Sequence, residues 1–228
     1  MTGTGWLQII VFSALILLIT RPLGEYMFRV FEGEKRPLSA VFGPVERLSY
    51  RLCGVDESRE QSWVEYAMAL LVFSAFGLIV TYVIQRLQGV LPLNPQGFGA
   101  VEPTSAFNTA ASFISNTNWQ GYSGESTMSY LTQMAGLAWH NFTSAAAGIG
   151  VALAVARGLT RQRGPEGPKT IGNFWVDLVR STIYVLLPLC VVITLVLVSQ
   201  GVVQTLSAYV DATTLEGGKQ SIALGPVA

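Results

Sequence analysis

The residues best suited to chemistry in this 228-residue chain lie in one uncharged stretch, Pro103 to Gly124, reading PTSAFNTAASFISNTNWQGYSG. Its centre is Ser115-Asn116-Thr117-Asn118-Trp119-Gln120, followed by Gly121. A site for Ca²⁺ or Mg²⁺ normally wants carboxylates, and none occurs between Glu102 and Glu125. An anion site wants Arg or Lys, and the whole interval between Arg86 and Arg157 has neither. His140 is the single histidine, so no histidine cluster exists for a transition metal. What remains is a set of carbonyl, amide and hydroxyl oxygens, which replace the hydration shell of a monovalent cation without trapping it. That logic does not separate K⁺ from Na⁺.

The elements that must position such a loop follow from where charge is missing. Half of the residues are apolar and only 12% are charged, with 14 basic and 14 acidic side chains. Mean hydropathy is +0.45. This composition excludes a disordered chain, and the zero net charge excludes a nucleic-acid binder. Two distant cysteines, Cys53 and Cys190, do not make a disulfide scaffold; both read as small buried hydrophobes. Met1–Thr20, Tyr66–Gln85, Ser126–Ala156 and Ser181–Val210 carry no charged residue. Each has the roughly 20 residues that span about 30 Å of hydrocarbon as a helix. The chain is therefore expected to be an all-α membrane protein with four transmembrane helices. The first lacks a basic region ahead of its apolar run, so it reads as an uncleaved span.

Basic residues cluster in the intervals Arg21–Ser62 and Arg157–Asn173, which places both on the cytoplasmic side and both termini outside. The first interval mixes its basic residues with acids and reads as solvated surface, broken into short pieces by Gly33, Pro37, Gly43 and Pro44. The second reads as a turn-rich linker over Arg161–Lys169.

Between the second and third spans, Glu102 followed by Pro103 marks a helix start. Phe107, Ala110, Ala111 and Ile114 recur at helical spacing. A helix over 103–114 is about 18 Å long, roughly half a bilayer. Two placements are open. The segment re-enters the membrane as a half-helix and loop, which survives only if it lines water or is buried in protein. Or it lies flat on the outer surface with Asn and Thr solvated.

Asn94-Pro-Gln-Gly-Phe98, Thr109-Ala-Ala-Ser-Phe113, Asn116-Thr-Asn-Trp-Gln120 and Tyr122-Ser-Gly-Glu125 resemble the potassium-transporting ATPase A subunit family (KdpA). Met134-Ala135-Gly136 and His140-Asn-Phe-Thr-Ser-Ala145 fit the same pattern, so the likeness covers the chain in order. The resemblance implies a K⁺ transporter fold of four span–pore–span repeats with an added first span. It implies K⁺ as the transported ion and a filter loop in which Asn116, Thr117, Asn118 and Gln120 bind it. Thr117 and Asn118 present carbonyls there, Gln120 lies beside the ion, and Ser115, Trp119 and Gly121 support the loop. Implied partners are an ATP-hydrolysing P-type B subunit, a C subunit and a small F subunit, in the bacterial cytoplasmic (inner) membrane. The implied division is 1–23 first span, 24–62 cytoplasmic loop, 63–157 first repeat with pore helix 103–114 and filter loop 115–121, 158–173 cytoplasmic loop, 174–200 first span of a second repeat, and 201–228 outer loop. Family chains are longer, so the sequence reads as truncated after that loop, whose tail is merely polar. Because a filter needs oxygens from all four repeats, these residues alone are expected to bind no K⁺ selectively and to fold poorly.

No Walker loop or Asp-Lys-Thr-Gly phosphorylation motif occurs, so ATP chemistry is assigned to another chain. The leading function is the K⁺-binding, translocating subunit of a high-affinity ATP-driven uptake complex. The alternatives are a stand-alone K⁺ or Na⁺ uptake channel and a non-transporting membrane scaffold. Among single residues, His140 reads as a neutral side chain hydrogen-bonded within the bundle. Ser144 with Gly148, and Ala146 with Gly150, read as close helix packing. Trp6, Trp63 and Trp175 read as interfacial belt residues, and Trp119 as a wedge against neighbouring helices. Asp177 and Arg180 are expected to pair with each other, and Glu65 to be interfacial.

Overall fold

The computed structural model describes residues 2–32, 37–161 and 170–225. Four of its helices are long and apolar enough to cross a membrane: α1 (Gly3–Phe31), α3 (Trp63–Leu87), α6 (Thr132–Thr160) and α7 (Phe174–Ser199). Between them lie α2 (Ser39–Cys53), α4 (Pro103–Ile114) and a single turn, α5 (Gly124–Thr127). The molecule is a membrane protein built mostly of helix.

α1 runs eight residues past the expected boundary at 23, straight through Pro22. A proline removes one intrahelical bond, and an apolar environment leaves the rest of the ladder no better partner than itself. Only its last two turns touch the bundle, where Val30 and Phe31 pack on Ile183, Tyr184 and Val185 of α7.

The 24–62 interval is not the broken, solvated loop expected of it. α2 passes continuously through Gly43 and Pro44 and buries Gly43, Glu46 and Tyr50 against α7. Residue 33 and the linker residues 162–169 lie outside the described residues.

α3 starts at a reciprocal cap: the Ser62 hydroxyl accepts from the Glu65 N–H, and the Glu65 carboxylate accepts from the Ser62 N–H at 2.8 Å. Glu65 also pairs with Arg59 at 2.7 Å. α6 and α3 are antiparallel, because Gly136 faces Thr81 and Ile84 while Gly150 faces the Tyr66 hydroxyl. Close approach at Gly150 explains why that position lacks a side chain: a Cβ there would meet Tyr66 Oη at 2.9 Å. Ser144, Ala146, Ala147 and Gly150 do form the small buried face expected, but Gly148 points outward into open space. A residue four positions from Ser144 lies about 40° round the helix, enough to leave the seam.

α6 opens with a π-helical stretch, Thr132–Ala138, and α7 contains a second, Ser181–Leu186. The outer tail holds a two-stranded antiparallel hairpin, β1 (Val210–Thr213) with β2 (Lys219–Ile222), where the sequence reading had a merely polar run. Its alternation is too short to register as a strand pattern. Cys53 is exposed and Cys190 half-exposed rather than buried.

Candidate functional site

α4 is set by its own ends. Glu102 accepts from the Ser105 N–H at 2.8 Å and Pro103 occupies the first helical position. The N–H groups of Thr104 and Ser105 hold the Glu102 carboxyl below its ordinary value. Arg86 donates to the Val101 carbonyl, and Gln85 Nε2 donates to the Ala106 carbonyl at 3.1 Å, so the start of α4 lies beside the end of α3.

From there α4 runs back along α3. A Cβ on Gly77 would meet Ile114 Cδ1 and His140 Nε2, each at 2.6 Å. The tip of α4 therefore ends where α3 and α6 meet, some eight residues, or about 12 Å, in from Gln85. His140 is buried there, with Nδ1 2.8 Å from the Gly136 carbonyl and 3.3 Å from Thr81 Oγ1. A carbonyl only accepts, so Nδ1 carries the proton.

The chain leaves α4 through a Schellman turn. Asn116 takes the left-handed conformation at φ 56°, and Asn118 repeats it at φ 55°. The Asn116 N–H donates to the Phe113 carbonyl at 3.2 Å. Those of Thr117 and Asn118 both donate to the Ser112 carbonyl, at 3.0 and 3.2 Å. The Trp119 N–H donates to Ser112 Oγ. Four consecutive backbone donors are thus spent on the end of α4. No described residue donates to the carbonyl oxygens of Asn116, Thr117 or Asn118. With four backbone donors turned inward and three backbone acceptors unused, at the negative end of a helix dipole, the loop's backbone suits a cation better than an anion.

The expected site residues share this one loop but not one environment. Ser115 Oγ bonds to Thr117 Oγ1 at 2.9 Å, and Asn116 Oδ1 accepts from Ser144 Oγ at 3.2 Å, pinning the loop to α6. Gln120 Nε2 donates to the Tyr122 hydroxyl at 3.3 Å. Ser115 to Gly121 are all exposed. Among the described residues Trp119 is not wedged between helices: it is 76% exposed, beside Asn108 and Thr109 of α4.

Ser112, Gly77 and Gln88 were not singled out from the sequence, and Ser144 was read only as a helix-packing residue, not as a tie to the loop. Gln88 is fully satisfied: it donates to the Gly99 and Thr127 carbonyls at 2.7 and 2.8 Å and accepts from the Ser129 N–H and Thr132 Oγ1, both at 3.0 Å. Asn94 folds the 94–98 turn onto the same point, bonding to the Gln88 and Phe98 carbonyls. A glutamine closing an apolar helix and an Asn-Pro turn after it were the available signals.

The other end of the bundle is charged. Arg157 forks onto Asp177 at 2.6 and 3.1 Å and reaches Glu32 at 2.6 Å, and Tyr66 donates to Asp177 at 3.1 Å. Arg180 pairs with Glu46 at 3.0 Å and Glu57 at 3.3 Å. Asp177 and Arg180 are not partners of each other, because Arg157 and Glu46 meet them from other elements in better-buried geometry. Trp175 is not a bare belt residue either, since its ring packs edge-on to Phe73 and Phe174. Trp6 and Trp63 are exposed.

A family model described as "Potassium-transporting ATPase A subunit" matches residues 10–228. Three curated relatives bear the name "Potassium-transporting ATPase potassium-binding subunit". One, from Mesorhizobium japonicum, is 63% identical over the full 228 residues. One from Methylobacterium nodulans is 58% identical and one from Brucella anthropi 57% identical, again over the whole chain. The chain spans 39–40% of the length of these relatives.

Proposed function

The chain belongs to the family of potassium-transporting ATPase A subunits, and from that premise we propose that it supplies K⁺-binding oxygens to an ATP-driven potassium uptake complex. The observation that carries this reading is the 116–118 loop, whose donors are consumed by Ser112 and Phe113 while three successive carbonyls stay free. We place α4 as a re-entrant half-helix, since its tip sits opposite Gly77 rather than beyond the ends of α3 and α6. Asn116, Thr117, Asn118 and Gln120 face the ion, and Ser115, Trp119 and Gly121 shape the turn. Uncharged carbonyl oxygens replace the water around a monovalent cation without trapping it, and the choice of K⁺ over Na⁺ follows from the family.

The complete ring is supplied by protein beyond these residues, and ATP hydrolysis by a P-type partner subunit alongside C and F subunits, in the bacterial cytoplasmic membrane. The basic intervals, and with them the Arg157 cluster, face the cytoplasm.

The test is Gln120→Arg in the full-length assembled complex, with ATP hydrolysis titrated against K⁺, Rb⁺ and Na⁺. The expected result is a loss of apparent K⁺ affinity or a changed ion preference with assembly intact. Unchanged titrations would make the loop surface decoration.

A further inference from the structure

A groove on the flank of the bundle, reaching inward to Gly77 and His140 beside the tip of α4, has the shape and charge of a lipid site. Its inner part is a cavity of about 390 Å³ between the end of α2 and helices α3, α6 and α7. Val72, Phe76 and Val80 form one wall at helical spacing, with Trp139 and Leu178 opposite. Val72, Phe76 and Trp139 are well exposed among the described residues, so the cavity opens sideways from the bundle. Cys53, Val55 and Trp175 line this cavity and also a second, polar cleft of about 630 Å³, which makes the two continuous. The cleft lies at the start of α3 and α7 and contains Asp56, Arg59 and Glu65. From Met68 in the cleft to Val80 in the cavity is 12 residues of helix, about 18 Å. That is close to the hydrocarbon depth of one leaflet, about 15 Å.

An apolar slot one leaflet deep, ending in a charged cleft at the helix ends, matches a single acyl chain with its headgroup. The charges choose the headgroup. One guanidinium suits a phosphate, and two carboxylates beside it suit an ammonium but repel a purely anionic lipid. Arg59 reaches Glu65 at 2.7 Å and is still two-thirds exposed, so most of its donors are free. Ser58 holds Asp56 through its N–H and hydroxyl at 2.9 and 2.6 Å, which keeps the Asp56 carboxyl below its ordinary value and negative. We propose that this groove binds one zwitterionic phospholipid with a free ammonium, of the phosphatidylethanolamine type. An acyl chain lies along Val72–Val80, the phosphate sits on Arg59, and the ammonium sits between Asp56 and Glu65.

Native mass spectrometry of the delipidated full-length complex, supplied with phosphatidylethanolamine, phosphatidylcholine or phosphatidylglycerol, tests this. Phosphatidylethanolamine should be retained in preference to the other two. Val72→Trp, which fills the slot, should abolish the retained lipid, whereas Val192→Trp on the outer face of α7 should not. Asp56→Asn should lower the preference over phosphatidylglycerol by up to about fivefold, the upper worth of one exposed charge pair. A second readout needs no change in the groove. With the other cysteines of the complex replaced by serine, maleimide labelling of Cys53 should slow in phosphatidylethanolamine nanodiscs and not in phosphatidylglycerol ones. Equal retention of all three lipids, retention by the Val72→Trp protein, or lipid-independent labelling, as when another protein segment covers the groove, overturns the proposal.

Discussion

The two ends of α6 solve opposite problems. At the Arg157 end, charged side chains from α2, α6 and α7 are buried or nearly so and paired with one another, with exposed Glu32 just past α1 as a further partner. Around α4, the loop at 115–121 is exposed, uncharged, and shaped by backbone donors turned onto Ser112 and Phe113. The charged end fixes helices in place, since each buried ion there is tolerable only with its partner. The uncharged end fixes oxygens in place while leaving them unpaired. A fixed charge near the loop would either hold a cation too tightly or exclude it. The sequence interval free of Lys and Arg thus corresponds to the part of the fold where free carbonyls stand.

The sharpest break of that contrast is at Asp177. Asp177→Ala leaves Arg157 buried with Glu32 as its remaining carboxylate, and should cost about 3–5 kcal/mol of stability. Unfolding of the assembled complex in a denaturing detergent, followed by loss of the native band, measures it. Replacing both, Arg157→Met with Asp177→Leu, should recover most of the loss, because no uncompensated charge remains. If the double variant is as unstable as the single one, the cluster does more than hold helices. Ion preference should be unchanged in any variant that still assembles.

Gly77→Ala attacks the other region. The added methyl meets the ends of the Ile114 and His140 side chains, both at 2.6 Å. Relieving such overpacking costs about 1–3 kcal/mol, and the freest element to move is the tip of α4. The K⁺ concentration for half-maximal ATP hydrolysis should rise more than stability falls, the reverse of the Asp177 result. A pure stability loss with unchanged titration would uncouple the tip of α4 from the ion.

Glu46 sharpens the charged side through pH. Burial raises its carboxyl, but hydrogen bonds from Tyr184, Arg180 and Tyr50 outweigh that and hold it below its ordinary value of 4.5. A group whose folded value is depressed stabilises the fold above the unfolded value and loses that contribution as pH falls through the folded one. Stability of the wild type relative to Glu46→Gln should therefore be constant from neutral pH to about 5 and shrink below it, from a plateau of about 1–3 kcal/mol.

Much of this was legible and some was not. Missing charge located the four spans, because hydrocarbon penalises every ion equally. Glu102-Pro103 and the apolar spacing located α4, because caps are local. What failed was pairing across the fold. Asp177 and Arg180 sit three apart and read as partners, yet each is claimed by a residue more than a hundred positions or a whole linker away. Glu46 looked solvated because a loop's charge count hides which single acid faces inward; Phe42 and Tyr50, four residues either side, were the clue. The loop's residue types were readable, but the turning inward of its donors depends on Ser112, a serine inside a helix that no pattern distinguishes.

The smallest effect separates backbone from side chain at Asn116. This residue does two things: it adopts φ 56° and it accepts from Ser144 at 3.2 Å. Asn116→Gly keeps the left-handed conformation and removes only the tie to α6. Asn116→Ala removes the tie and also the short polar side chain that makes the left-handed conformation tolerable for an L-residue, leaving alanine with a strain of up to about 1–2 kcal/mol there. If the free carbonyls bind the ion, the glycine variant should keep its ion preference with at most a few-fold loss of apparent affinity. The alanine variant should lose more of both, because relaxing φ swings the Asn116 and Thr117 carbonyls. If the amide itself were the ligand, the two variants would lose equally, and the loop would work through side chains as the charged end does. Titration of both against K⁺ and Na⁺ decides which description of the loop holds.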